Sequence, residues 1–167
     1  MEHWLNFCIV ILAQFCIFIV HAYYEGRLRD VPRILVLGIA IGIPFGFIFD
    51  SIVGRTVGFF SYMLGFSSLF LAINGALSYG LMQANVLLMD KRSLPHFYLW
   101  SVIVGGLYEL VNTYFPVWHW EFASSSIAIP TVIIACYFGL ALLMALVWHL
   151  VGHRFSFILN LQRRQLP

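Results

Sequence analysis

Apolar residues run along this chain in long unbroken stretches, separated by short polar clusters rather than alternating with them. Five such stretches fall near residues 4–24, 34–53, 66–89, 96–115 and 127–151. Each is close to the length of helix, about 20 residues, that crosses a hydrocarbon core of roughly 30 Å. Lipid offers a backbone no hydrogen-bond partner, so such segments are expected as helices. Barrel strands alternate apolar and polar positions and do not fit these continuous runs. The pattern predicts an all-α polytopic membrane protein in which residues 1–167 form a single bundle of five transmembrane helices. The opening stretch MEHWLNF lacks a basic region and a small-residue cleavage site, so the first helix is expected to be retained.

Composition narrows the class further. Hydrophobic residues make up 62% of the chain and charged residues only 10%, with a mean hydropathy of +0.91. A soluble domain needs far more charge to cover its surface. Cys8, Cys16 and Cys136 all fall inside apolar segments, giving neither a disulfide framework nor a zinc spacing, and are read as small core residues. The basic residues are placed unevenly. Arg27, Arg29, Arg33, Lys91, Arg92, Arg154, Arg163 and Arg164 would gather on one side of a five-span bundle and Arg55 alone on the other. Basic residues favour the cytoplasm, which predicts a plasma or inner membrane location with the N-terminus outside and the C-terminus inside. The net charge of +2 is a by-product of that belt and too dispersed to suggest nucleic acid.

Spacing inside the helices adds chemistry. Gly38, Gly42, Gly46 and Asp50 lie four residues apart and so share one helix face. Small residues on such a face let helix backbones approach closely, either within the bundle or against a membrane-protein partner. Pro44 is placed to kink that helix. Ser101, Gly105, Glu109 and Thr113 repeat the spacing, with Asn112 beside Glu109. Each acid is followed by an aromatic connection, SIVGRTVGFFSY after Asp50 and LVNTYFPVWHWE after Glu109, with Phe59 and Trp118 at the same offset. The echo suggests a parallel repeat of helices two and three in helices four and five. Ser67, Asn74, Ser78 and Asn85 add a polar stripe on the third helix.

A carboxylate inside a bilayer costs about 2.5–3.5 kcal/mol at the centre and less near the interface. Burial favours the neutral acid, which can donate a proton, and a second carboxylate could accept one. Glu109 and Asp50 are therefore the candidate catalytic pair, Glu109 the donor and Asp50, expected nearer water, the acceptor. Asn74, Ser78 and Asn112, with Phe59, Phe60, Tyr62, Trp118 and Trp120, are the candidate substrate-binding residues. Their aromatic faces suit a hydrocarbon and a carbocation formed from it. The competing structural reading pairs Asp50 with Arg55, hydrogen-bonds Glu109 to Asn112 or Asn74, and leaves the aromatics as an interfacial belt.

FIFDSIVGRTVGFFSY resembles the segment of the small membrane-bound lycopene cyclases in which an acid, a glycine and an aromatic pair lead into a loop. YELVNTYFPVWHW is similar to a second copy. The resemblance implies a helical membrane protein that binds an isoprenoid or carotenoid-like lipid and closes rings by protonation. That family also carries a Pro-x-Glu-Glu motif early in the helix after the loop. Here the corresponding stretches read LAINGALS and AIPTVII, with Asn74 and Pro130 but no acid. What carries over is thus Asp50, Phe59 and Phe60, and more loosely Glu109, Trp118 and Trp120.

The histidines point elsewhere. His149 and His153 stand four apart, a spacing that can place two imidazoles on one metal. His21 and His96 are expected at the same end of the bundle, near Glu25 and Asp90, where a haem could be ligated. Interfacial histidines facing headgroups are the simpler reading, and no cofactor is expected. Two other functions fit the same residues. One is an accessory subunit docking through the Gly38, Gly42 and Gly46 face. The other is a small transporter lined by Gln14, Asn74, Ser78, Asn85 and Glu109.

Overall fold

The structure, a computed structural model, describes residues 2–89, 93–121 and 128–160, with side chains of 128–134 and 152–160 left out of the description. Asp90, Lys91, Arg92, Arg163 and Arg164, and the side chains of Pro130, His153 and Arg154, lie outside the described residues.

Among the described residues five helices carry the fold: α1 (Glu2–Tyr24), α2 (Leu28–Thr56), α3 (Ser68–Leu88), α4 (Leu94–Tyr114) and α5 (Ala128–Asn160). The first four are long and apolar enough to cross a membrane, and α5 contributes the apolar stretch Ala135–Val151. Local sequence sets the starts. Pro32 and Pro95 sit in the first turns of α2 and α4, where the missing N–H has no helical partner to lose. The Ser67 hydroxyl accepts from the Phe70 N–H at 3.2 Å and caps α3. At the other end of α3, Arg27 donates to the Leu87 carbonyl at 2.8 Å and satisfies an orphan of its last turn. Helix α2 begins earlier and ends later than the 34–53 predicted, and α5 runs past the expected end at 151.

Two helices change their winding midway. Helix α2 is α-helical over Val31–Phe49 and widens to a π-helix over Asp50–Thr56, where the Val57 N–H bonds the Ile52 carbonyl at 2.9 Å. Helix α3 widens in the same way over Gly75–Tyr79. Such widened turns re-aim side chains and recur at functional sites.

The glycine stripe packs inside the bundle. A Cβ on Gly38 would strike the Gly80 carbonyl, and one on Gly42 the Gly80 backbone. Helices α2 and α3 therefore touch almost backbone to backbone, which only glycine permits. The Gly38, Gly42 and Gly46 face is thus packed against α3 of the same chain. Helix α1 packs on α3 and α4, and α5 on α4 and α3.

The connections are not loose aromatic loops. Strand β1 (Phe60–Tyr62) follows α2 and pairs antiparallel with β2 (Trp118–Trp120), which follows α4, in the register Phe60↔Trp120, Ser61↔His119, Tyr62↔Trp118. Flanking bonds from the Met63 N–H to the Val117 carbonyl (2.9 Å) and from the Glu121 N–H to the Phe59 carbonyl (3.2 Å) extend the ladder. The Ser61 hydroxyl ties to Glu121 Oε1 at 2.6 Å. Side chains alternate across a strand, so Phe60, Tyr62, Trp118 and Trp120 share one face of this ribbon and Ser61 and His119 the other.

Candidate functional site

Asp50 begins the widened turn of α2 and is fully buried. A carboxylate only accepts hydrogen bonds, so burying one requires donors around it. Three side chains supply them. The Tyr79 hydroxyl donates to Oδ1 at 2.5 Å, the Tyr62 hydroxyl lies 3.1 Å from each oxygen, and Asn74 Nδ2 donates to Oδ2 at 3.1 Å. Asn74 also donates to the Tyr62 oxygen at 2.9 Å, closing the cluster. Gly46, one turn before Asp50, makes this possible. A Cβ there would stand 2.6 Å from the Tyr79 ring. The expected order of exposure is reversed: Asp50 is the more deeply buried acid and Glu109 is half-buried. Arg55 is exposed, and the partners of Asp50 are neutral hydroxyls and an amide, so the Asp50–Arg55 pairing is not formed.

Glu109 is built on the same plan. Its Oε1 accepts from Trp118 Nε1 at 2.9 Å, Trp120 Nε1 at 3.0 Å and the Tyr137 hydroxyl at 2.9 Å. Gly105, one turn before, clears the space, because a Cβ there would lie 2.6 Å from the Tyr137 Cβ. In both clusters a glycine four residues before the acid admits a tyrosine from the next helix, 29 residues after Asp50 and 28 after Glu109. The alternative partners proposed for Glu109 are engaged elsewhere. Asn74 serves Asp50. Asn112 spends its side chain on the backbone leading into β2: its Oδ1 accepts from the Val117 and Trp118 N–H groups at 2.9 and 3.2 Å, and its Nδ2 donates to the Trp118 carbonyl at 3.0 Å.

Between the clusters lies a cavity of about 240 Å³. Phe59, Phe60, Tyr62, Trp118 and Trp120 form its wall beneath the ribbon, and Asn74 and Ser78 line it from α3. Asn112 is absent from the lining among the described residues; it positions Trp118 instead of meeting a ligand. Neither carboxylate reaches the cavity surface either. Their donors do: Tyr62, Asn74 and Tyr79 for Asp50, and Trp118, Trp120 and Tyr137 for Glu109. The acids stand one layer back, each holding lining side chains in place through their hydroxyl, amide or indole groups. Burial of its hydroxyl, reinforced by the Asp50 charge, holds the Tyr62 phenol well above its ordinary range, so it stays a protonated donor. Sequence reasoning missed Tyr79 and Tyr137, and with them Tyr108 and Met82, which also line the cavity. The available signal was the pair of tyrosines set at nearly equal distance after the two acids within otherwise apolar helices.

The cavity borders a second space. Phe49, Val53 and Leu143 line both it and an apolar groove of about 700 Å³ between α2 and α5. At the opposite end of the bundle from the ribbon, a second polar group gathers. His21, fully buried, pairs through Nδ1 with Asn85 Oδ1 at 2.8 Å and stacks on Trp100 with ring centroids 4.2 Å apart. His96 meets Glu25 at 2.8 Å, and Asn85 donates to the Tyr108 hydroxyl at 3.1 Å. The His149–His153 pair lies outside the described residues through His153. Among the described residues no group of three or more His, Cys, Asp or Glu side chains gathers as a metal site.

No family model, curated protein or solved structure matches this chain. The likeness to the small lycopene cyclases therefore rests on the two quoted segments alone.

Proposed function

We propose that this protein binds an isoprenoid-class lipid in the aromatic cavity and converts it by proton transfer, as an isomerase or cyclase. The observation that supports this is the pair of acid–phenol clusters facing one aromatic space. Apolar cavities with a few convergent polar groups are the usual form of small-molecule sites, and intramembrane acids mark function more often than packing.

The chemistry follows from the layering. When Asp50 carries a proton, its O–H donates to the Tyr62 oxygen, and the Tyr62 hydrogen turns toward the cavity. Transfer to an alkene forms a C–H bond from the π pair and leaves a carbocation, which the faces of Phe60, Trp118 and Trp120 stabilise. Loss of a proton from a neighbouring carbon through Tyr137 to Glu109 restores a double bond. Atoms and charge balance, and the reaction is redox-neutral. Either acid can take the donor role, so the sequence-based assignment of Glu109 as donor is open to reversal.

In this reading the chain has five spans, with the N-terminus and the ribbon outside and the basic residues at the cytoplasmic end of a plasma or inner membrane. Helices α2–α3 and α4–α5 are two copies of one unit: glycine, acid, aromatic strand, tyrosine. The lipid reaches the cavity sideways, through the groove between α2 and α5.

The test is solvent-isotope incorporation. Protein in nanodiscs is incubated with an acyclic polyene isoprenoid in D2O, and products are resolved by mass spectrometry. The expected result is a deuterated isomer or cyclised product with wild type and none with Glu109→Gln. This variant is favoured because all three donors converge on one oxygen, which the amide retains, so the fold should persist. A Glu109→Gln protein that turns over normally would sink the acid–base mechanism.

A further inference from the structure

Gln14 lies near the middle of α1, about 18 Å along the helix from Glu2, and is 1% exposed. It lines the cavity, and its side-chain oxygen has no hydrogen-bond partner. A buried acceptor without a donor is unfavourable, and native proteins tolerate few of them. This one lines the same cavity as two further hydroxyl-bearing side chains, Ser78 and Tyr108. The Tyr108 oxygen already accepts from Asn85, which leaves its own hydrogen to offer. The region thus presents an unmet acceptor together with hydroxyls able to donate.

We propose that the ligand is not a pure hydrocarbon but carries a hydroxyl, which donates to Gln14 Oε1 at the depth of the membrane core. An alcohol fits this pattern because one O–H both donates and accepts. An alkyl end would leave Gln14 unpaired. An ammonium would bring a charge to a wall that presents no carboxylate among the described residues. The tail leaves past Phe49, Val53 and Leu143 into the α2–α5 groove. The inference rests on the isoprenoid reading above and specifies it: the ligand is a prenyl alcohol or another hydroxylated isoprenoid.

The experiment compares two probes in nanodiscs, geranylgeraniol and the C20 hydrocarbon with the same double bonds and no hydroxyl. Each competes with a fluorescent polyene for wild type, Gln14→Leu and Gln14→Met. Wild type is expected to bind the alcohol at least about tenfold more tightly than the hydrocarbon. Both variants should lose that preference while keeping hydrocarbon affinity. Their apo forms should melt no lower than wild type, because an unpaired buried polar group has been replaced by an apolar one of similar size. If the two probes bind wild type equally, a resident water rather than the ligand satisfies Gln14 and the inference falls while the isoprenoid reading stands. A preference that survives in both variants also overturns it. If neither probe binds wild type, the isoprenoid reading falls and takes this inference with it.

Discussion

At the scale of single residues, the site is governed by what two glycines leave out. Gly46 and Gly105 each stand one turn before an acid, and each holds open the space that a tyrosine ring enters. An added methyl at Gly46 would meet the Tyr79 ring at 2.6 Å and the Gly75 Cα at 2.9 Å. The ring is anchored by its bond to Asp50 and the backbone is packed, so neither can yield cheaply. Gly46→Ala and Gly105→Ala are expected to destabilise by about 1–3 kcal/mol each, the usual range for overpacking. Gly106 is the internal control. A Cβ there meets nothing within 4 Å, so Gly106→Ala should be neutral or stabilising by up to about 1 kcal/mol. Thermal melts in detergent, followed by circular dichroism, separate the three. Equal gains at Gly106 and Gly105 would show that helix propensity rather than ring packing sets the effect. The acids differ at this scale too. Glu109 concentrates its donors on one oxygen, whereas Asp50 spreads them over both. Asp50→Asn would set an amide N–H against a hydroxyl or amide donor, so it should cost stability where Glu109→Gln does not.

At the scale of elements, the ribbon of β1 and β2 is held less by its own short ladder than by Asn112. A two-stranded pair is marginal alone, and Asn112 fixes three backbone groups at the entry to β2. Asn112→Ala leaves those groups unpaired and is expected to cost about 1–3 kcal/mol. It should also shift tryptophan emission to the red as the Trp118 indole leaves Glu109. Loss of stability with unchanged emission would mean that the Trp118–Glu109 bond survives without its support. These elements mark the limit of what the sequence discloses. Uninterrupted apolar runs made the helices readable, since lipid dictates their length. The four-residue glycine spacing placed Asp50 on a packed face. The pairing of two distant connections in register, Ser61 with His119, 58 residues apart, for example, depends on how four helices bring their ends together, which no local pattern records. Even so, the alternation in FSY and WHW carried a strand signal that an aromatic-belt reading overlooked. The tyrosines were hidden for a related reason: in an apolar helix a tyrosine reads as core, and only the packing turns its hydroxyl to an acid.

At the scale of the whole molecule, two conceivable routes to the cavity make opposite predictions. One passes under the ribbon from water; the other passes between α2 and α5 from the bilayer. An apolar ligand partitions into lipid, and only Phe49, Val53 and Leu143 among the described residues line both the α2–α5 groove and the cavity. Ser61 and His119 face each other across the ribbon on the side away from the cavity aromatics, so a cysteine pair there can cross-link the two strands without entering the site. In a background where Cys8, Cys16 and Cys136 are replaced by alanine, Ser61→Cys/His119→Cys should bind a polyene isoprenoid equally well oxidised and reduced. Leu143→Trp narrows the passage where groove and cavity meet and should slow polyene uptake from nanodisc lipid by about tenfold or more, one such factor being the 1.4 kcal/mol expected of a modest steric barrier. Uptake rates are read from the change in the polyene's own absorption spectrum as it leaves lipid for the aromatic cavity. If the oxidised pair blocks binding while Leu143→Trp leaves the rate unchanged, the ligand comes from the aqueous side. The ribbon would then be a gate rather than a fixed cover.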